Sequence, residues 1–427
     1  MACAVCVIEG DSPMSEPTFG ITISRIDNEP RPPVWSDMSV VGIIGTAADA
    51  DAAAFPVDTP VFLYSDDAAK LTALGASGTL RDAIMLMNAQ LGEFQVAAKV
   101  VVVRVAEGAD VDATIANVIG DGLSTGLQAF VRAGAELGVI PRLLCAPGFT
   151  SQHATGFANP VCAALPAICE KLLAHAIVDG PATDEQAAID WRETISAQRL
   201  IPVDPAVKVL AGGVPVVQPL SPAVIGIGVR RDHAKQGRPF HSWANQPVQG
   251  IVGPSRPINF SLTDGATEGQ RLLAANIGVL LRGEMGVESA IAQGGFIFVG
   301  TDNAGEDDLW RFYNVTRGRD FIHLMLLRTL RFYLGRFNIT GQTIQAVLNT
   351  METGLRNLKA DGDILGFEIK FTRDQNTPEE LRQGRFTVSF AAEEAPVLRY
   401  LGIQSARYRP ALDALLDDLL AQVGTIT

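Results

Sequence analysis

Two short runs near the C-terminal end alternate strictly. Phe367, Ile369 and Phe371 are interleaved with Glu368, Lys370 and Thr372, and Phe386, Val388 and Phe390 with Thr387, Ser389 and Ala391. A period of two sends the aromatic and branched side chains to one sheet face and the polar ones to the other, so this region predicts paired strands. Between the runs, Asn376-Thr377-Pro378-Glu379-Glu380 predicts a turn leading into a single helical turn. Thr377 suits the N-cap, Pro378 the first helical position, and Glu380 falls three residues after the cap. Gly384 then resets the chain. A third apolar run, Val397 to Ile403, follows Pro396.

The rest of the chain alternates strand and helix signals. Strands are expected over 38–45, 60–64 and 99–105, and helices over 66–74 and 80–93, the latter capped by Thr79. A second series follows: helix 125–138, strand 140–148, helix 160–175, strand 176–179, and helix 183–197 capped by Thr183. Candidate strands lie at 207–210 and 223–229. After a Pro- and Gly-rich connection over 238–262 come helix 267–282, strand 296–301, an acidic loop from Asp302 to Asp308, and helices 320–337 and 340–358. A last helix begins at Pro410, with Leu412, Leu415, Leu416, Leu419, Leu420 and Val423 as an apolar stripe opposite Asp413, Asp417 and Asp418. The expected class is mixed α/β, multidomain, with mixed β-sheets flanked by helices. At 427 residues the chain exceeds one compact core. Its divisions fall at an arm over 1–20, an α/β domain over 21–105, an inserted α/β domain over 106–258 and a C-terminal domain over 259–427.

Hydrophobic residues make up 47% of the chain, enough for a substantial interior, and the net charge of −13 argues against nucleic-acid binding. No apolar run approaches the roughly 18 residues of a membrane span. Met1 to Gly10 has no basic opening and meets Glu9 early, so no signal peptide is expected and folding should take place in the cytosol.

Few residues suggest chemistry. Gly122-Leu-Ser124-Thr-Gly126 matches the nucleophile elbow of serine hydrolases, with His233 or His241 as a base and Asp184 or Asp190 between them in chain order. The same residues are also what any loop ahead of a helix contains. Gly226-Ile-Gly228 lacks a third glycine, no Gly-Lys pair exists for a phosphate loop, and the histidines at 153, 175, 233, 241 and 323 show no metal-ligand spacing. No cofactor, metal or catalytic residue is expected. Cys162 and Cys169 lie roughly 10 Å apart along one expected helix, too far for a mutual disulfide, and with Cys145 read as buried apolar residues. Cys3 and Cys6 form a C-x-x-C without further zinc ligands nearby. Between Arg311 and Arg336 there are six arginines against one acid, Asp320. They either pair with the chain's own acids, such as Asp302 to Asp308, or form a face for an acidic partner.

The order strand, N-T-P-E-E-L-R-x-G-R, strand, A-P-V-x-x-Y-L-x-I over Asp363–Ile403 resembles the C-terminal domain of contractile-tail sheath proteins. The V-G-I-x-G run at 41–45, the W-A-N-Q-P-V-Q-G-I-V-G run at 243–253, and Asn314-Val315 with Arg317 fit the same resemblance, although Gly318 interrupts the family's pair of basic residues. It implies a structural subunit that polymerises as stacked rings around a tail tube and contracts. The implied partners are further copies of the chain, the tail tube protein, the baseplate and the tail terminator, without nucleic acid or membrane insertion. The implied location is the virion, after assembly in the bacterial cytoplasm. In this family an N-terminal arm pairs with a neighbour's sheet, which points to Phe19, Ile21 and Ile23; the alternative is a first strand of the chain's own sheet. Cys3 and Cys6 would then form disulfides with neighbouring subunits or remain free thiols. Arg317, Arg319, Arg328, Arg331 and Arg336 become candidate contacts to the tube or the next subunit. The terminal helix departs from relatives that end in a donated strand.

Overall fold

A computed structural model describes residues 37–91 and 97–424. These divide into two compact units, one of residues 37–321 with 394–424, the other of 322–393. In chain order the elements are β1 (Val41–Thr46), β2 (Pro60–Tyr64), α1 (Ala68–Ala73), α2 (Leu80–Ala89), β3 (Lys99–Val105), α3 (Val111–Ile119), α4 (Ala129–Leu137), β4 (Leu143–Cys145) and α5 (Pro160–Leu172). They continue with β5 (His175–Asp179), α6 (Glu185–Glu193), β6 (Leu200–Asp204), β7 (Val207–Ala211), β8 (Val214–Gln218), α7 (Ser221–Ala234), β9 (Gln246–Pro247), β10 (Gly253–Pro254), α8 (Glu268–Ala274), β11 (Gly278–Arg282) and β12 (Phe296–Val299). The last are α9 (Tyr313–Leu330), α10 (Gly341–Ala360), β13 (Ile364–Lys370), α11 (Pro378–Arg382), β14 (Ser389–Glu394) and α12 (Pro410–Val423).

The larger unit is built on a nine-stranded sheet of order β2-β3-β1-β4-β5-β6-β11-β12-β9. From β3 to β11 neighbouring strands run parallel, while β2, β12 and β9 are antiparallel additions. Strands covered on both faces read as unbroken apolar runs, and Val100 to Val103 are each wholly buried. Alternate residues feed two cores. Ile43, Val100 and Val102 pack with Leu80, Ile84 and Met87 of α2 and with Val224 and Ile227 of α7. Ile44, Val101 and Val103 pack with Phe130 of α4 and Leu165 of α5. This one sheet runs through residues 105/106 and 258/259, where the sequence suggested divisions.

The structure corrects several sequence expectations. Residues 223–229, read as a strand, belong to helix α7, whose residues from Ser221 to Arg230 are all buried. A helix apolar all round shows no amphipathic period, and its Val and Ile content mimics a strand. Gly226 and Gly228 serve packing: an added Cβ would lie 2.6 Å from the Met87 carbonyl oxygen or 2.8 Å from the Trp243 ring. The helix expected over 267–282 stops at Ala274; Asn276 takes a left-handed φ of 62° and the chain continues as β11. Helix α6 is capped by Asp184, which accepts from the Ala187 amide, rather than by Thr183. Helix α9 begins at Tyr313, seven residues ahead of the expected Asp320, and ends at Leu330.

In the smaller unit α10 buries Val347, Met351, Leu355 and Leu358 and packs on β13. Strands β13 and β14 form a two-stranded sheet. Thr377 caps α11 as expected, its hydroxyl accepting from the Glu380 amide, and Gly384 has φ +78°. Asn376 ties the segment together, donating to the Thr372 and Thr387 carbonyls and accepting from the Thr387 amide.

Prolines mark the outermost strands of the larger unit. β2 and β9 border the large sheet and carry Pro60 and Pro247; β10 and β8 border a three-stranded sheet with β7 and carry Pro254 and Pro215. Strands β13 and β14 contain none.

Candidate assembly surfaces

The first turns of α9 contact much of the larger unit. The Tyr313 hydroxyl, wholly buried, donates to the Gly300 carbonyl at 2.8 Å and accepts from the Trp243 amide at 2.8 Å. Thr316 meets His175 Nε2 at 3.0 Å. Arg317 pairs with Asp232 at 2.5 and 3.2 Å and lies 4.8 Å from the centre of the Trp243 ring. Gly318 admits Phe240, whose ring would sit 2.5 Å from any added Cβ. Asp320 accepts two bonds from Arg199, at 2.5 and 3.2 Å.

The same helix secures the returning C-terminal segment. Arg319 grips Glu394 with two bonds of 2.6 and 2.9 Å, and stacks 4.9 Å from the Trp310 ring centre. Asn314 donates to the Phe240 and Ala395 carbonyls. Four residues on, Arg399 reaches Asp302 at 2.7 Å and the Leu273 carbonyl at 3.2 Å. Asp302 also accepts from Arg311 at 3.1 Å. Of the six arginines in the basic stretch, 311, 317 and 319 are therefore engaged inside the unit. Arg317 is wholly buried, which corrects its expected place on a contact face. Arg328, Arg331 and Arg336 are exposed.

Burial sets the electrostatics of this interior. It holds His175 neutral, with a pKa well below the ordinary histidine value, and Arg199 and Arg317 push in the same direction. It raises the Asp179 carboxyl to about 6, against hydrogen bonds from Ser221. Asp232 is raised by burial, although Arg317 opposes the shift.

Beyond Arg399 the chain is exposed. Residues 395–408 form no helix or strand, and Leu398, Tyr400, Leu401, Ile403 and Tyr408 are all largely open to solvent. Helix α12 follows with its apolar stripe uncovered, from 46% exposure at Leu419 to 69% at Leu420. Among the described residues nothing covers the stripe. On β13, Phe367 and Ile369 are half-buried and Leu365 is exposed.

The hydrolase alternative fails on geometry. A nucleophile elbow needs a strand before the serine. Here helix α3 ends at Ile119, and Ser124 lies in an exposed loop organised by Asp121, which accepts from the amides of Leu123, Ser124 and Thr125. The Ser124 hydroxyl donates to Asp121 at 3.2 Å. Asp184 caps α6 and Asp190 accepts from Gln186. His233 is exposed near the end of α7 and His241 is half-buried. Cys145, Cys162 and Cys169 are buried free thiols, and burial raises all three pKa values, that of Cys169 to about 12. Among the described residues no group of three or more His, Cys, Asp or Glu is placed to hold a metal, and no helix is long and apolar enough to cross a membrane. Cys3, Cys6, Phe19, Ile21 and Ile23 lie outside the described residues.

No protein-family model matches the chain. Over 373 residues it is 29% identical to a prophage major tail sheath protein of Pseudomonas aeruginosa, covering 86% of this chain and 90% of that one. It is 24% identical over 402 residues to the tail sheath protein of Escherichia phage P2, covering 92% and 96%. Its fold matches the sheath of an extracellular contractile injection system, PVC, in the contracted state, with a TM-score of 0.65 at 14% identity, covering 93% of this chain and 99% of the other. The chain is thus similar to contractile-tail sheath proteins along nearly its whole length, which supports a structural sheath subunit and not a serine hydrolase.

Proposed function

We propose that copies of this chain stack as rings around a tail tube, and that contraction of the array drives the tube through a host envelope for genome ejection. The reading is carried by the β13–β14 sheet. Among the described residues each of its strands has one partner and one open edge, and neither contains proline. An exposed edge of this kind accepts a strand from another chain through backbone hydrogen bonds. The donor is the N-terminal arm, with Phe19, Ile21 and Ile23 alternating as a strand requires. Strand links of this type survive while weaker polar interfaces are exchanged, which is what a two-state array demands. The tube, the baseplate and the tail terminator complete the set of partners, in a tail assembled within the bacterial cytoplasm. Cys3 and Cys6 form disulfides between subunits once the particle leaves the reducing cytosol, which a denaturing gel of purified particles run with and without reductant would reveal.

The test is negative-stain microscopy of the full chain beside a variant lacking residues 1–20. Long hollow tubes from the full chain, lost on truncation, are expected. Monodisperse particles from both would remove the reading.

A further inference from the structure

We infer that the β7–β8 hairpin of one copy seats in a cleft beside α3 and the start of α5 in the next copy. The inference rests on the sheath reading, because it needs an array in which every copy meets another.

The cleft holds about 600 Å³ and is lined by Ile115 and Ile119 of α3, by Phe157, and by Pro160 at the start of α5. Phe157 is 72% exposed, so a large apolar surface is left uncovered there. Gln152 also lines the cleft. Its amide nitrogen donates to the Gly148 carbonyl at 2.8 Å, while its Oε1 is buried and accepts nothing among the described residues. A buried acceptor in this state favours an occupant that brings a donor. Asp112 is exposed in the same lining. Between Arg104 and Arg132 the chain carries Glu107, Asp110, Asp112 and Asp121 and no basic residue. The occupant is therefore expected to be apolar and positively charged.

The hairpin has these properties. Its strands are joined by Gly212 and Gly213, whose φ angles of 57° and 85° suit a tight two-residue turn. Lys208 lies opposite Val217, and Leu210 opposite Pro215, so the four side chains share one face. Leu210 and Val217 are 61% and 57% exposed. From Pro205 to Pro219 Lys208 is the one charged residue. Among the described residues neither Lys208 nor Asp112 forms an ion pair. Pro215 lacks an N–H, so β8 is a poor template for a further strand and the hairpin must recognise a partner through its side chains. Helix α12 is apolar too, but its Asp413, Asp417 and Asp418 give it the wrong sign for this cleft.

One copy cannot fill its own cleft. Val207 and Val209 root the hairpin in the core on the α2 and α7 side of the large sheet, whereas Ile115 and Ile119 belong to the core on the α4 and α5 side. Hairpin and cleft thus lie on opposite faces of one rigid sheet. A contact between two different surfaces of this kind is head-to-tail, and repeats from copy to copy instead of closing as a two-fold dimer.

The test uses the full chain with Cys3→Ser and Cys6→Ser, so that the three remaining native cysteines are buried. One preparation carries Leu210→Cys in the hairpin and a second carries Ala154→Cys in the cleft lining; they are mixed, assembled and oxidised. A cross-linked dimer that requires both substitutions is expected. A second arm reverses charge. Asp112→Lys should raise the concentration needed for assembly about fivefold, equivalent to ~1 kcal/mol. Adding Lys208→Glu to the same chain should restore it. Tubes that form normally but give no mixed dimer would overturn the inference. So would a cross-link from Ala154→Cys to Leu334→Cys beyond the end of α9, which would give the cleft a different occupant. Binding of the chain to phosphatidylcholine vesicles that is lost in Leu210→Asp, without a mixed dimer, would assign the hairpin to a lipid surface instead. Failure of the unsubstituted chain to polymerise would remove the sheath reading itself, and would be visible before any variant is compared.

Discussion

Arg317 and Asp232 face each other inside the larger unit at 2.5 and 3.2 Å, with essentially no solvent contact on either side chain. The pair joins α9 to α7, and the Trp243 ring covers the guanidinium. Removing one partner of such a pair strands a charge in the interior, which costs about 3–5 kcal/mol, whereas replacing both with apolar residues is often neutral. Arg317→Ala should therefore lower stability by about that much in urea unfolding of the unassembled chain. The double change Arg317→Met with Asp232→Leu should recover most of the loss. Equal destabilisation by the double variant would show that the pair does more than satisfy itself.

Gly226 of α7 lies close against α2. A methyl group there meets the Met87 carbonyl at 2.6 Å and the side chain of Gln90 at 2.8 Å. Backbone does not yield as a side-chain end does, so Gly226→Ala should destabilise by roughly 1–3 kcal/mol in spite of alanine's better helix propensity. Thermal unfolding reads this directly. A rise in the transition temperature would show that α7 shifts freely on α2.

Asp179 gives the fold a pH dependence of known sign. Its carboxyl is raised by burial to about 6 from an ordinary 3.8. The folded chain keeps a proton that the unfolded chain gives up between those values. The associated stability is full below pH 3.8 and is lost as pH rises through 6, a difference of roughly 3 kcal/mol. Asp179→Asn keeps the shape and does not titrate. Its stability advantage over the parent should be largest above pH 7 and shrink as pH falls toward 4. Parallel pH profiles for the two chains, from chemical unfolding, would rule this out.

Much of the architecture was legible because local signals agreed with the final packing. The strand over 99–105 read correctly from its branched apolar run, the Asn376–Glu380 turn from its capping residues, and the helix over 340–358 found its place as α10. Where burial is complete or glycine sets the approach, the period disappears, and α7 was misread as a strand for that reason. The early start of α9 was hidden because Asn314 and Gly318 look like loop residues, yet one bonds to two carbonyls and the other admits Phe240. The surfaces were half legible. The stripe on α12 was plain from spacing, but its exposure was not. Composition marked the arginine-rich stretch, but only the fold separated buried Arg317 and half-buried Arg319 from exposed Arg328, Arg331 and Arg336.

A chain that must polymerise at high local concentration is exposed to the wrong polymer as much as to the right one. Each proline on the rim of the larger unit, at 60, 215, 247 and 254, removes a donor from the strand that borders solvent. Stray strands therefore find no continuous template there, and growth into disordered β-aggregates is suppressed while subunits accumulate. The proline-free β13 and β14 keep every backbone donor, so that under the proposed strand exchange the edges that refuse a partner would matter to the fidelity of assembly as much as the edge that accepts one.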